Sequence, residues 1–449
     1  MKMIHKETWV KYTALAFIVL LLPFTSVVPQ ERSLQLERIE FKGNTKTDES
    51  VLLRYLRLRP GDRVTADKVD RDWQALAATD FFKSVELYTR PGSRKGLVVL
   101  VVEVTERRWP YFQFEGGHSD LDGWYFVPFS LRFDNLFGKG HEWNFQAYLS
   151  DRFTRLGFNY HNPDLLSSSL AFDLQFYGGT RTFILYIDGQ ELNHDVDVGG
   201  IDMKLSGTEG IFRYLFLRYN NLNFSPARTA AFVDTDSVLT ISLFPKKLAV
   251  QIEDTTIASL TAGIQIDRRD NVFYPMRGFW GVASAGLAHS ELGSKIDFVR
   301  YRFDARIYQR IFRRHVLAFN VKAGSVSREA PFYQRFYLGG ANSLRGYPER
   351  RLTPIGYGAR HFLTSIEYRF PFSSRQTGTP GAVGVFFFDA GGLWNTDEKI
   401  DSDGLYRAFG FGLRLKIPII GLTRIDFAFP LDKFEDNDFQ LHFSLGHAF

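Results

Sequence analysis

One arginine and one aspartate are set where they could form a buried ion pair. Arg345 follows the small-residue run Gly339-Gly340-Ala341-Asn342-Ser343 and Leu344, and it precedes Gly346 and Tyr347. Glycine on both sides lets the backbone turn tightly and push one long cation inward. A guanidinium taken out of bulk water needs a carboxylate and further acceptors, since losing one partner of a buried pair costs about 3–5 kcal/mol. Asp389, within Phe387-Phe388-Asp389-Ala390-Gly391, is the candidate partner. Taken alone, charges so far apart in the chain read as solvated, and Glu349, Arg350 and Arg351 read as loop charges in water. Other chemistry finds little support. Histidines such as His118, His161 and His447 are scattered outside any H-E-x-x-H pattern, and no G-x-S-x-G elbow or phosphate-binding loop occurs. The chain has no cysteine. No catalytic site, metal or cofactor is expected; the one enzymatic alternative is a Ser and His pair with no local motif.

The elements that must position these residues are strands. In Phe439–Phe449 the residues Phe439, Leu441, Phe443, Leu445 and Phe449 face one way, while Gln440, His442, Ser444, Gly446 and Ala448 face the other. A strand apolar on one side that ends on an aromatic fits the closing strand of a membrane barrel. Aromatics make up 16% of the residues, 44 of them Phe, 20 Tyr and 7 Trp, yet mean hydropathy is only -0.17. A barrel hides its membrane character in this way, because lipid-facing and lumen-facing residues alternate. No segment beyond the amino terminus has the roughly 18 to 20 unbroken apolar residues of a spanning helix. The net charge of +5 is spread without a basic block, so no nucleic-acid partner is expected.

Lys2, Lys6 and Lys11 precede an apolar run from Tyr12 to Leu22, then Pro23 and the small residues Thr25 and Ser26. This is the layout of a secretory signal, assigned to residues 1–30. Residues 33–106 then read as a small α+β domain. Leu36, Ile39 and Phe41 form a strand ending at Gly43-Asn44. A helix capped by Thr47 or Asp48 carries Val51, Leu52, Tyr55 and Leu56, and a second helix from Thr65 presents Val69, Trp73, Leu76 and Ala77. Strands at Val85–Arg90 and Leu97–Val104 complete it. This order, with the opening IEFKGN, resembles a POTRA domain, the periplasmic module of the BamA/TamA outer-membrane superfamily.

Residues 109–449 read as one antiparallel barrel, with strands from Phe126–Phe133 to Phe439–Phe449; between Thr180 and Thr256 the strand ends are not legible. Three motifs carry the resemblance further: the turn Asn135-Leu136-Phe137-Gly138-Lys139-Gly140, the segment Asp267–Gly278, and Phe336–Tyr347 (FYLGGANSLRGY), which is similar to the superfamily's sixth extracellular loop. The resemblance implies sixteen strands, and a loop folded into the lumen whose tip, Leu344, Arg345, Gly346 and Tyr347, meets the strand bearing Phe387, Asp389 and Gly391. It also implies a seam between the first strand, near Tyr111 to Gly116, and the last, with Phe443, Gly446 and Phe449. Pro110, which cannot donate, and Gly116-Gly117 would weaken that seam. Leu344 departs from the valine usual there, and there is room for one POTRA domain where barrel-assembly members usually carry several. The function implied is assembly or translocation of unfolded outer-membrane or secreted protein clients in the outer membrane of a Gram-negative bacterium. Lipid and periplasmic chaperones or accessory proteins would be the other partners. A passive porin and a surface receptor or adhesin are the rival readings.

Overall fold

The structure is a computed structural model. It describes residues 34–449 except 80, 109–110, 113–114, 120–121, 188, 209, 233–239, 244–251, 273, 355–356, 373–379, 403, 418–420, 436–437 and 446–449. The leader read at residues 1–30, Pro110, Gly446 and Phe449 therefore lie outside the described residues.

The amino-terminal module is a four-stranded sheet under two helices. Strands β1 (Leu34–Lys42), β2 (Arg63–Val64), β3 (Phe82–Pro91) and β4 (Leu97–Glu106) take the order β2-β1-β4-β3, with β1 and β4 parallel. Helices α1 (Glu49–Tyr55) and α2 (Ala66–Ala77) cover one face. Leu36, Leu52, Leu56, Leu76, Phe81 and Leu100 meet there, all nearly inaccessible to solvent. Thr65 caps α2 by accepting from the Lys68 amide, whereas Asp48 at the start of α1 makes no side-chain cap bond. Asp72, on the inner face of α2, instead accepts from the Arg57 and Leu58 amides at 2.9 and 3.0 Å and satisfies the backbone leaving α1. Trp73 departs from the helical pattern: it is 42% exposed, its indole N–H held by the Val85 carbonyl at 2.8 Å.

The rest closes into an antiparallel barrel of sixteen staves. The first comprises β5 (Tyr111–Phe112) and β6 (Glu115–Ser119). It is followed by β7 (Gly123–Leu136), β8 (His141–Ser150), β9 (Thr154–Asn162), β10 (Leu170–Ile187), β11 (Gln190–Gly207) and β12 (Leu215–Pro226). A short hairpin, β13 (Thr229–Phe232) and β14 (Thr240–Leu243), pairs beside β11. The wall resumes with β15 (Thr255–Asp267), β16 (Gly278–Ala288), β17 (Phe298–Phe312), β18 (His315–Val326) and β19 (Arg360–Pro371). It ends with β20 (Ala382–Trp394), β21 (Leu405–Ile417), β22 (Gly421–Pro430) and β23 (Gln440–Leu445). Alternation builds the wall: Tyr301, Phe303 and Ile307 of β17 and Phe386 and Phe388 of β20 are exposed outward, while Asp389 and Phe387 between them are buried inward. Within the stretch where strand ends are not legible in the sequence, Phe212–Tyr214 is a short 3-10 turn that leads into β12.

The module is joined to the first turn of the barrel, Asn135–Gly140. Asn135 Nδ2 donates to Thr47 Oγ1 at 2.6 Å, and that hydroxyl donates to Glu106 Oε1 at 2.7 Å. The Asp48 amide donates to the Gly138 carbonyl, and Arg54 donates to the Lys139 carbonyl at 2.9 Å. Gly138 sits at φ 76°, and a Cβ there would fall 1.9 Å from the Lys46 carbonyl oxygen, so only glycine permits this approach. Thr47 thus serves the junction rather than a helix cap. Burial disfavours the charged form of Glu106, but hydrogen bonds from the Thr47 and Thr45 hydroxyls and from the Lys46 and Thr47 amides outweigh it and hold the carboxyl below its ordinary range. A depressed folded-state value means that this stabilisation is complete above the unfolded value of about 4.3 and is lost as pH falls through the lower folded one. The melting temperature of the amino-terminal module is therefore expected to drop between about pH 5 and about pH 3, with a smaller drop in Glu106→Gln. Equal drops in both proteins would remove Glu106 from the account.

Candidate functional site

The connection between β18 and β19, residues 327–359, turns back into the barrel. Leu338, Leu344, Tyr347 and Leu352 are buried against Leu363 of β19 and Ala408 of β21. Gly346 makes the turn at φ 88°, where a Cβ would meet that of Ala408 at 2.8 Å. Its amide donates to His442 Nε2 of β23 at 3.1 Å. The Tyr347 hydroxyl reaches the Arg407 and Asp432 carbonyls at 3.0 and 3.1 Å. Arg424 of β22 holds the loop from outside its tip, donating to the Ala341 carbonyl at 2.8 Å.

Arg345 is 3% exposed and projects onto the inner wall. It grips Asp389 with a two-point fork, Nε to Oδ2 and NH2 to Oδ1, both 2.6 Å. NH1 donates to Glu367 Oε1 of β19 at 2.8 Å, NH2 to Ser365 Oγ at 2.9 Å, and Asp426 of β22 lies 3.7 Å away. The guanidinium carbon sits 3.6 Å from the centre of the Phe387 ring, which gives the cation an aromatic face. Gly391, two positions beyond Asp389, keeps the wall thin where Leu338 and Leu363 pack. The carboxylates are shared with other arginines: Arg369 binds Glu367 at 2.7 Å, and Arg414 and Arg424 bind Asp426 at 2.6 and 2.5 Å. The result is a closed lattice of alternating charge spanning β19 to β22, with the loop tip as its removable member.

The sequence motifs indicate the tip and Asp389 but miss Glu367, Ser365, Asp426 and His442. Their only signal is a polar residue on the inward side of an alternating strand, which any solvated lumenal position shares. Two loop cations read as solvated are not. Arg350 is 3% exposed, bonded to the Tyr357 hydroxyl at 2.9 Å and lying over the Tyr337 ring, and Arg351 forks onto Glu435.

At the seam β6 meets β23. The register described between β23 and β6 is the pair Leu445 and His118, beside residues 446–449 and 120 that lie outside the described residues. His118 Nδ1 lies 3.4 Å from the Phe443 carbonyl oxygen, with their rings 5.7 Å apart, and the Tyr125 hydroxyl donates to the Leu445 carbonyl at 3.3 Å. Gly117 permits the close approach, since a Cβ there would stand 2.1 Å from the Leu445 carbonyl oxygen. Tyr111, expected at the seam, pairs on its other edge with Arg132 of β7.

A closed sixteen-stave barrel with a charged loop tip pinned to its inner wall and a small α+β module at one end defines a class of outer-membrane protein. The Omp85 superfamily domain matches residues 135–449, and the surface antigen variable number repeat, the POTRA model, matches residues 35–107. The chain belongs to the Omp85 superfamily. It is 25% identical to the outer membrane protein assembly factor BamA of Nitratidesulfovibrio vulgaris, over 95% of this chain and 52% of that protein. It is 22% identical to BamA of Neisseria meningitidis serogroup B, over 93% and 57%. The chain thus spans little more than half the length of these curated relatives. Among solved structures, BamA from Haemophilus ducreyi lacking POTRA domains 1-3 superposes with a TM-score of 0.59 at 17% identity, covering 92% of this chain and 84% of that one. CdiB from Escherichia coli gives 0.57 at 14% identity, covering 93% and 77%. At such identities these likenesses establish the fold.

Proposed function

We propose that the protein resides in the outer membrane of a Gram-negative bacterium, receives unfolded β-barrel or secreted polypeptides through its periplasmic POTRA domain, and inserts or translocates them at the barrel seam. The observation that carries this reading is a POTRA domain joined to a closed barrel of the Omp85 superfamily whose first and last strands meet at a seam, since strands parted there would offer free edges to a client. A second edge lies in the POTRA domain. Strand β3 is the outermost of its sheet, and no strand pairs with its outer side among the described residues. Its ten residues could take a client strand by β-augmentation, in which main-chain bonds give affinity without demanding a sequence. The relatives' names speak of assembly, which fits a non-enzymatic role. The pinned loop argues against a passive porin, because it occupies the lumen that a porin leaves open. Liaison with periplasmic chaperones belongs to the same proposal.

The test is reconstitution. Liposomes carrying the full chain should fold a urea-denatured barrel client several-fold faster than empty liposomes, read by its heat-modifiable migration on a gel. A form lacking residues 34–106 should remain heat-modifiable itself while losing most of that stimulation. Undiminished stimulation without the POTRA domain would contradict the receiving role.

A further inference from the structure

The lumenal wall beside the pinned loop tip, from β11 to β18, carries cations that the charge lattice does not use. Register places them. One inward row runs from Lys204 of β11 and Arg218 of β12 through Thr261 and Gly286 to Arg300 of β17. The next inward row runs from Phe216 through Gly263 and Ser284 to Arg302, and Lys322 of β18 stands diagonally beyond, opposite Asp304. Between β12 and β17 lie three strand spacings, about 14 Å, floored by small residues. The Phe216 ring covers Gly263, and the Thr261 hydroxyl leans over Gly286, whose Cβ would meet it at 2.7 Å. Thr261 and Ser284 present hydroxyls with no protein partner among the described residues.

Two acids on the neighbouring inward rows are already committed, while Asp401, which also lines the cavity, accepts from the Gly404 amide. Asp202 accepts from Arg218 Nε at 2.7 and 2.9 Å and from Asn220. Asp304 accepts a fork from Arg306 at 3.3 and 3.1 Å. Arg300 donates to the Gln334 side chain and lies over Phe336, without a carboxylate. Arg302 and Lys322 make no side-chain hydrogen bond or ion pair among the described residues, and Arg302 is exposed to the lumen. Three like charges held together, with only Asp304, itself forked by Arg306, as the acid opposite Lys322, cost energy that a polyvalent anion would relieve, and a narrow low-dielectric enclosure strengthens the attraction above its value in open water.

We propose that this trough is an anion site for a phosphate-class oxyanion. Arg302 would grip it with its fork, Arg300 and Lys322 would add charge, and the Ser284 and Thr261 hydroxyls would donate from the floor. The site is independent of the seam and of the POTRA domain, so it stands whether or not the assembly function does.

Isothermal titration of the full-length protein in neutral detergent micelles tests it, with sodium phosphate as probe and sodium chloride at matched ionic strength as control. One saturable phosphate site is expected, absent with chloride and weakened at least about tenfold in the Arg302→Gln, Lys322→Gln double variant. Heat-modifiable migration shows whether each variant's barrel is formed. Should the double variant fail to form it, Ser284→Phe reads the same site by filling its floor with all charges kept, and is expected to abolish binding. A short-chain phosphatidate added in a second arm separates the sources: competition with phosphate points to a lipid headgroup as the occupant, and its absence to a free solute. Lack of a saturable phosphate site in the native protein overturns the proposal, and so does unchanged affinity in a folded double variant or in Ser284→Phe.

Discussion

Arg345→Ala is expected to cost more than any other single truncation in the loop. Glu367 would keep Arg369 at 2.7 Å, and Asp426 would keep Arg414 and Arg424, but Asp389 would be left with the Ser365 hydroxyl alone at 2.6 Å. A carboxylate 1% exposed and deprived of its cation costs about 3–5 kcal/mol. The tip would remain tethered by Leu344, Tyr347 and the Arg424 bond to Ala341, so the expected result is a heat-modifiable barrel with a lower melting temperature and an order of magnitude less client insertion. Arg345→Lys should rescue little, since an ammonium cannot reproduce the fork on Asp389. Asp389→Ala should be milder, because Arg345 retains Glu367 at 2.8 Å. The double variant should fall short of the sum of the two, measured as melting temperature and insertion rate in one cycle. Additive losses would mean that the two side chains do not act as a unit.

The parts of this account that were legible in the sequence are those written in short, local patterns. Alternation in Phe386, Phe387, Phe388 and Asp389 assigns each side chain to lipid or lumen, and the glycines around Arg345 announce a tight turn. Partners brought together by closure of the barrel are different. Glu367, Asp426 and His442 lie on three staves, and nothing near them in the chain distinguishes an inward carboxylate gripped by arginine from one facing water. Arg350 was misread for the same reason, since its burial comes from Tyr337 and Tyr357 rather than from its neighbours Glu349 and Arg351.

Between Thr180 and Thr256 the reason is physical. Strands β10 and β11 run 18 residues each, roughly twice what a tilted crossing of the bilayer needs, so their upper halves stand in water. There, Thr182 bonds Asp195, and Thr180 bonds Asp197, on a face that has no lipid to meet. Leu185, Leu192 and Val196 are buried on the inner face instead, so the apolar side changes face along each strand and the pattern is broken, although the ladder continues.

The central claim is that clients enter the membrane through the seam. The chain has no cysteine of its own, so a pair introduced at His118 and Leu445 would be unique. These residues are direct partners across β6 and β23, and opposed antiparallel residues lie about 4.5–5.5 Å apart at Cα, within disulfide reach. One measurement is therefore decisive: client insertion by His118→Cys, Leu445→Cys protein in liposomes, oxidised and then reduced in the same sample. The account predicts that the oxidised barrel inserts no faster than empty liposomes and that reductant restores the rate. An oxidised, fully crosslinked barrel as active as the reduced one would contradict it.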